Sequence, residues 1–265
     1  MKKLKIIKII LLFALVLNTI MAFGQKLPAI QKSSVWAPDK VKIDGAIAEW
    51  DNKFEASNHA TDLLYTMAND DKNLYLVIQA TDNDVINRII GGGITLTIQQ
   101  SKDAKNNVSV TYPVIERKNA IFINLRGKKG VIPDTSARAA DSVMKRNNKN
   151  IEQKAKWILV KGVKDMDTLS VYNEYGIKAC GRFDIKKAYN CELAIPLKYL
   201  SQNGDLTQFT YHLQVNGGNP PQMTLIPSPG TDPAVTQKFQ ESMDAFQSKL
   251  SAITDFWGEY TLAKK

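Results

Sequence analysis

Side chains able to carry chemistry are few in this chain. His59 and His212 are the only histidines, and no Gly-x-Ser-x-Gly or His-Glu-x-x-His motif occurs. Gly91-Gly92-Gly93 precedes an alternating apolar segment, where a phosphate loop would precede a helix. Nothing groups the 26 acidic residues into the carboxylate pair that glycoside hydrolysis uses. The residues point to binding, and catalysis is not expected. Three constellations remain. TDNDVINR (81–88) sets Asp82, Asn83 and Asp84 in a loop after an apolar run, either a plain turn or part of a structural calcium site, since hard cations take carboxylate and carbonyl oxygens. Cys180 and Cys191 flank RFDIKK in a hairpin-like stretch, so a cross-strand disulfide is expected, with two free thiols as the other reading. In FTYHLQVNG (209–217), Phe209, Tyr211, Leu213 and Val215 share one face while Thr210, His212 and Gln214 share the other. A polar face of that kind is bare to solvent or forms the wall of a binding groove.

The elements that must position these groups are mostly short and alternating. NLYLVIQATD (73–82), ITLTIQ (94–99), VSVTYPV (108–114) and AIFINLR (120–126) read as strands separated by Asn, Asp and Gly turns. KWILVKGV (156–163), EYGIKACGRF, YNCELAIPL, FTYHLQVNG and WGEYTLA (257–263) continue the series. Two polar, helix-permissive stretches interrupt it, at about 134–155 and 232–255. In the second, Asp232 can cap, Pro233 suits the first turn, and Phe239, Met243, Phe246, Leu250 and Ile253 form a stripe expected to pack on the sheets. The spacing predicts an all-β sandwich with two helical insertions, in one domain over residues 25–265.

Residues 1–24 combine a lysine-rich start, an apolar run from Ile9 to Leu17, and Ala22 and Gly24 spaced for cleavage before Gln25, the pattern of a signal peptide. The apolar run is shorter than the roughly 20 residues that a bilayer span needs, so no transmembrane segment is expected after cleavage. Cleavage removes Lys2, Lys3, Lys5 and Lys8 and no acid, lowering the formal charge from +9 to +5. That mild basicity, with RGKKG (126–130) as its densest cluster, does not suggest nucleic acid. The expected location is the periplasm or the cell exterior.

VKIDGAIAEW (41–50) places an Asp44-Gly45 turn between a β-branched pair and Trp50. Gly tolerates positive φ, Asp bonds the following backbone, and Trp50 is a large apolar plug, so Asp44, Gly45 and Trp50 read as architecture. This stretch, DDKNLYLVIQATD (70–82), YNCELAIPLKYL (189–200) and FWGEYTLA (256–263) together resemble, in order, the landmarks of the family 9 carbohydrate-binding modules and related DOMON-like domains. The resemblance implies a jelly-roll-type β-sandwich, glycan binding without catalysis, an accessory role in carbohydrate breakdown, and a structural calcium ion at Asp82 and Asp84 rather than any other cofactor.

Sugar-binding members similar to this chain place a Gln where LQVN has Gln214, so the resemblance puts a groove on the face carrying Thr95, Thr97, His212 and Gln214, with Asn216 to Gln222 at its rim. The residues before ITLTIQ are IIGGG, with no Trp. The family's acidic position falls on Thr95 or Thr97, VSVTYPV has no Arg, and Trp257 is assigned to the closing strand as a structural residue. These departures imply a ligand changed or lost. Two further readings stand beside it: a haem-binding DOMON-type domain using His212 with Met166 or Met223, and a periplasmic or surface domain that binds a protein partner through its helical insertions.

Overall fold

Alternation in the sequence becomes two antiparallel sheets in the computed structural model, which describes residues 26–99, 107–121, 123, 125, 137–201, 206–218 and 232–265. The first sheet contains β1 (Ala56–Asn58), β2 (Leu63–Asn69), β3 (Asn73–Ala80), β8 (Lys178–Phe183) and β9 (Tyr189–Pro196), in the order β1-β2-β3-β9-β8. The second contains β4 (Ile94–Gln99), β5 (Val108–Val114), β6 (Trp157–Lys161), β7 (Thr168–Ser170), β10 (Gln208–Val215) and β11 (Thr254–Thr261), in the order β11-β10-β4-β5-β6-β7. Their facing sides share one core. Leu74, Leu76 and Ile78 from the first sheet join Leu96, Ile98, Leu213 and Val215 from the second, all essentially solvent-free. Two buried tyrosines bridge the layers, with Tyr65 and Tyr211 hydroxyls 2.9 Å apart. A buried hydroxyl costs free energy unless it is bonded, and here each satisfies the other.

The outer face of the first sheet is also covered. Ala68, Tyr75, Val77 and Ala194 pack against Ala37, Ile47 and Trp50, so the segment before β1 lies across it as a second apolar layer. The two ends of this coverage meet at Asn69. Its backbone N–H donates to Val35 O at 3.0 Å, and its carboxamide oxygen accepts from Ala263 N at 2.7 Å and from the Tyr260 hydroxyl at 3.1 Å. Ser34 Oγ donates to Thr261 O at 2.6 Å.

Among the described residues three α-helices accompany the strands: α1 (Asn83–Gly92), α2 (Ala137–Lys154) and α3 (Pro233–Ser251). The last two match the expected insertions, although residues 134–136 lie outside the described ones. Three expectations change. AIFINLR is not a strand where it is described: Ile123 is buried, and both its backbone groups bond the Asn87 carboxamide, at 2.8 and 3.1 Å. A side chain has replaced the sheet partner there. The α3 stripe does not pack as expected either. Only Leu250 is buried, and Phe239 and Ile253 are largely exposed.

The expected disulfide does not form either: Cys180 and Cys191 are free. Cys180 pairs with Glu192 and Cys191 pairs with Gly181, so the register places the two thiols on opposite faces of the sheet. Burial pushes the Cys180 thiol up to about 11, with the nearby Glu192 carboxylate adding to the effect.

Candidate functional site

The landmark turn at Asp44-Gly45 is anchored by a residue of the YNCELAIPLKYL landmark to which the sequence alone assigned no role. Glu192, in the middle of β9, is fully buried. Its Oε2 accepts from Asp44 N at 3.1 Å and Gly45 N at 2.8 Å, and its Oε1 accepts from Trp50 Nε1 at 2.9 Å. Burial outweighs these three donors and pushes the carboxyl up to about 7. Gly45 has φ +78°, and a Cβ there would stand 2.6 Å from Arg182 Cβ, so both the turn and the close approach require glycine. Asp44 closes the turn by accepting from Ala46 N at 2.8 Å. The contacts of Asp44 and Gly45 close the turn, and Trp50 packs in the apolar layer over the first sheet.

Outward-facing residues of the second sheet form the site. Strand register aligns them in rows. One runs Asp255, Gln214, Thr95, Thr111, Leu159, and the next runs Trp257, His212, Thr97, Ser109, Lys161. Directly paired side chains in such a sheet sit roughly 5 Å apart, and the five strands span about 19 Å. All five expected ligand residues, Thr95, Thr97, His212, Gln214 and Asn216, lie on or at the edge of this face. Three are linked: Gln214 Nε2 donates to Asn216 Oδ1 at 2.6 Å, Asn216 Nδ2 donates to Thr95 Oγ1 at 2.9 Å, and the Thr95 and Thr111 hydroxyls lie 2.7 Å apart. They line a cavity of about 440 Å³, bounded also by Pro113, Leu159 and Lys161. His212 and Thr97 stand one row away.

Asn216 is held there by the glycines. Its Nδ2 also donates to Gly92 O at 2.8 Å, and its backbone N–H to Gly93 O at 3.0 Å. Gly91 and Gly92 end α1 so close to Gly217 and Gly218 that a Cβ on Gly92 would overlap the Gly217 carbonyl. Gly93, at φ +81°, closes the helix by donating to Ile89 O. The triple glycine therefore serves a close approach of backbone to backbone. Residues 219–222 of the expected rim lie outside the described residues.

Trp257 is corrected from structural to surface. The strand parity that buries Phe256 and Gly258 turns its indole outward, 52% exposed and stacked on His212 with ring centroids 4.3 Å apart. His212 Nε2 meets Asp255 Oδ2 at 2.8 Å, which fixes the imidazole. Trp157, two residues before Leu159 on the same side of β6, is 38% exposed. Its exposure on this face is not legible in the sequence, because a lone Trp at a strand start gives no parity signal.

The calcium expectation at Asp82 and Asp84 changes as well. Asp82 is the N-cap of α1: its Oδ1 accepts from Asp84 N at 2.9 Å and Val85 N at 3.0 Å. The presumed loop is a helix start, and among the described residues no three His, Cys, Asp or Glu side chains gather as metal ligands. For the haem reading, His212 is engaged by Asp255 and Trp257, Met166 packs against the core, and Met223 lies outside the described residues. Among the described residues no helix is long and apolar enough to cross a membrane. Comparison with protein-family models, with curated proteins and with solved structures returns no match.

Proposed function

We propose that the chain is an exported, non-catalytic glycan-binding module, with a sandwich of the jelly-roll type carried by family 9 carbohydrate-binding modules. Its ligand surface is the outer face of the second sheet. The observation that carries this reading is the exposed Trp257 platform beside a preassembled polar floor of Gln214, Asn216, Thr95 and Thr111. Sugar rings offer an apolar C–H face for stacking and hydroxyls for bonding, and pockets of this kind combine a few placed polar groups with apolar walls. The character of residues 1–24 supports export. A glycan array screened with the purified chain, then calorimetry on any hit, tests the proposal. Trp257→Ala and Gln214→Ala are expected to weaken a hit by about tenfold or more, as loss of an aromatic contact or a bonded amide does. A blank array from folded protein would sink it.

A second reading has one observation in its favour. Val235 and Phe239 are about half exposed on α3, a larger apolar display than a solvent-facing helix needs. On that reading the chain binds a protein partner through α3, and a pull-down lost on Phe239→Ser with the array blank would favour it.

A further inference from the structure

We propose that the ligand of this face is an anionic glycan, selected by Lys161. The inference rests on the glycan-binding reading and adds the charge of the sugar. Among the described residues lining the 440 Å³ cavity, Lys161 carries the only charge. It is exposed, and no acid among the described residues lies within ion-pair distance of it. Its cross-strand neighbour is Ser109, so an ammonium and a hydroxyl stand side by side at the cavity's β6 edge. Among the described strand residues turned to this face, the acids are Asp255 and Glu259 on β11, four strands away, and Asp255 is already bonded to His212. Along these rows the described strand charges run from acids on β11 to Lys161 on β6.

That arrangement bears on ligand choice. A neutral sugar presents hydroxyl protons that are best met by carboxylates, and this cavity offers only neutral acceptors. A carboxylate or sulfate on the sugar ring would instead accept from Lys161 Nζ and Ser109 Oγ, a charge-assisted pair stronger than a neutral one. Leu159 and Pro113 supply the apolar wall for the ring's C–H face. The cavity volume lies within the range of ligand pockets. The formal charge of +5 that remains once residues 1–24 are removed still favours the approach of an anion.

The test is calorimetry on the full chain with three probes of equal length: an oligogalacturonate, a sulfated galactan oligosaccharide and an uncharged galactan oligosaccharide. At least one acidic probe is expected to bind about tenfold or more tightly than the neutral one, and which of the two does so separates carboxylate from sulfate recognition. Lys161→Gln should reduce acidic binding to the neutral level, with the difference shrinking at high salt. Lys178→Gln, an exposed lysine on the other sheet, should change nothing. Neutral binding as tight as acidic, or intact acidic binding in Lys161→Gln, overturns the charge inference and leaves the glycan reading standing. Equal losses in the two lysine variants reveal non-specific attraction and overturn it too. No binding of any probe, with the array blank as well, removes both.

Discussion

Replacing Glu192 by Gln should change how stability responds to pH. In the fold this carboxyl sits near 7 because it is buried, against 4.5 as its ordinary value. Between those values the folded chain holds a proton that the unfolded chain has released, so stability falls as pH rises and levels off above about 7. A gap of about 2.5 units corresponds to roughly 3 kcal/mol. For a domain of this size that is on the order of 6–12 °C in Tm. Asp70 adds nothing to the slope over this range. Although burial opposes ionisation, bonds from the Tyr75 hydroxyl and from Lys72 and Asn73 N–H hold its carboxyl below its ordinary value, so it is ionised in both states by pH 5. Urea and thermal unfolding of the wild type and Glu192→Gln at pH 5 and pH 8 give the comparison. All other titrating groups are common to both proteins, and pH 5 already lies above the ordinary value, so the wild type should lose about 2.5 kcal/mol more than the variant between the two pH values. An equal loss in both would refute the reasoning, because the buried carboxyl would then not be titrating in this range.

Three other outcomes follow from single contacts. Tyr189→Phe should be neutral or stabilising by up to about 1 kcal/mol in urea unfolding, since the buried Tyr189 hydroxyl has no hydrogen-bond partner among the described residues; a clear loss would mean an unseen partner. Thiol titration of unfolded protein purified without reductant should find both Cys180 and Cys191 free, and Tm should be indifferent to reductant; absence of thiol signal would overturn the strand register. Trp257→Ala should shift Tm by no more than about 2 °C, because half its surface is already in water; a collapse of stability would return that residue to the architecture.

Strands with one wet face were legible because their period is two. ITLTIQ and VSVTYPV have the bounds read from sequence, and the polar parity of His212 and Gln214 led directly to the cavity face. β2 was invisible for the opposite reason: all but one of its residues are buried, so LLYTMAN carries no alternation. α1 was hidden by its composition, since Asn, Asp and Gly at its two ends read as turn-formers, while Asp82 and Gly93 are its caps. Glu192 was given no role because a lone acid in an apolar strand resembles a solvent-facing residue, and only the indole and amide donors brought from 142 to 148 positions away in sequence cover it on the outer side of its sheet. The misread cysteines differ by parity. Two residues in a hairpin can bond only if the register puts them on one face, and composition cannot supply a register.

The knot of hydrogen bonds at Asn69 also sets an order of events. Residues 34–37, which cover the far side of the first sheet, take their bonds from Asn69, Tyr260 and Thr261. A chain synthesised or threaded through a membrane N-terminus first exposes that early segment long before β11 exists. The bonds of residues 34–37 to Asn69 can form once β2 is present, whereas those to Tyr260 and Thr261 wait for β11, so the cover is fully fastened only when that strand arrives.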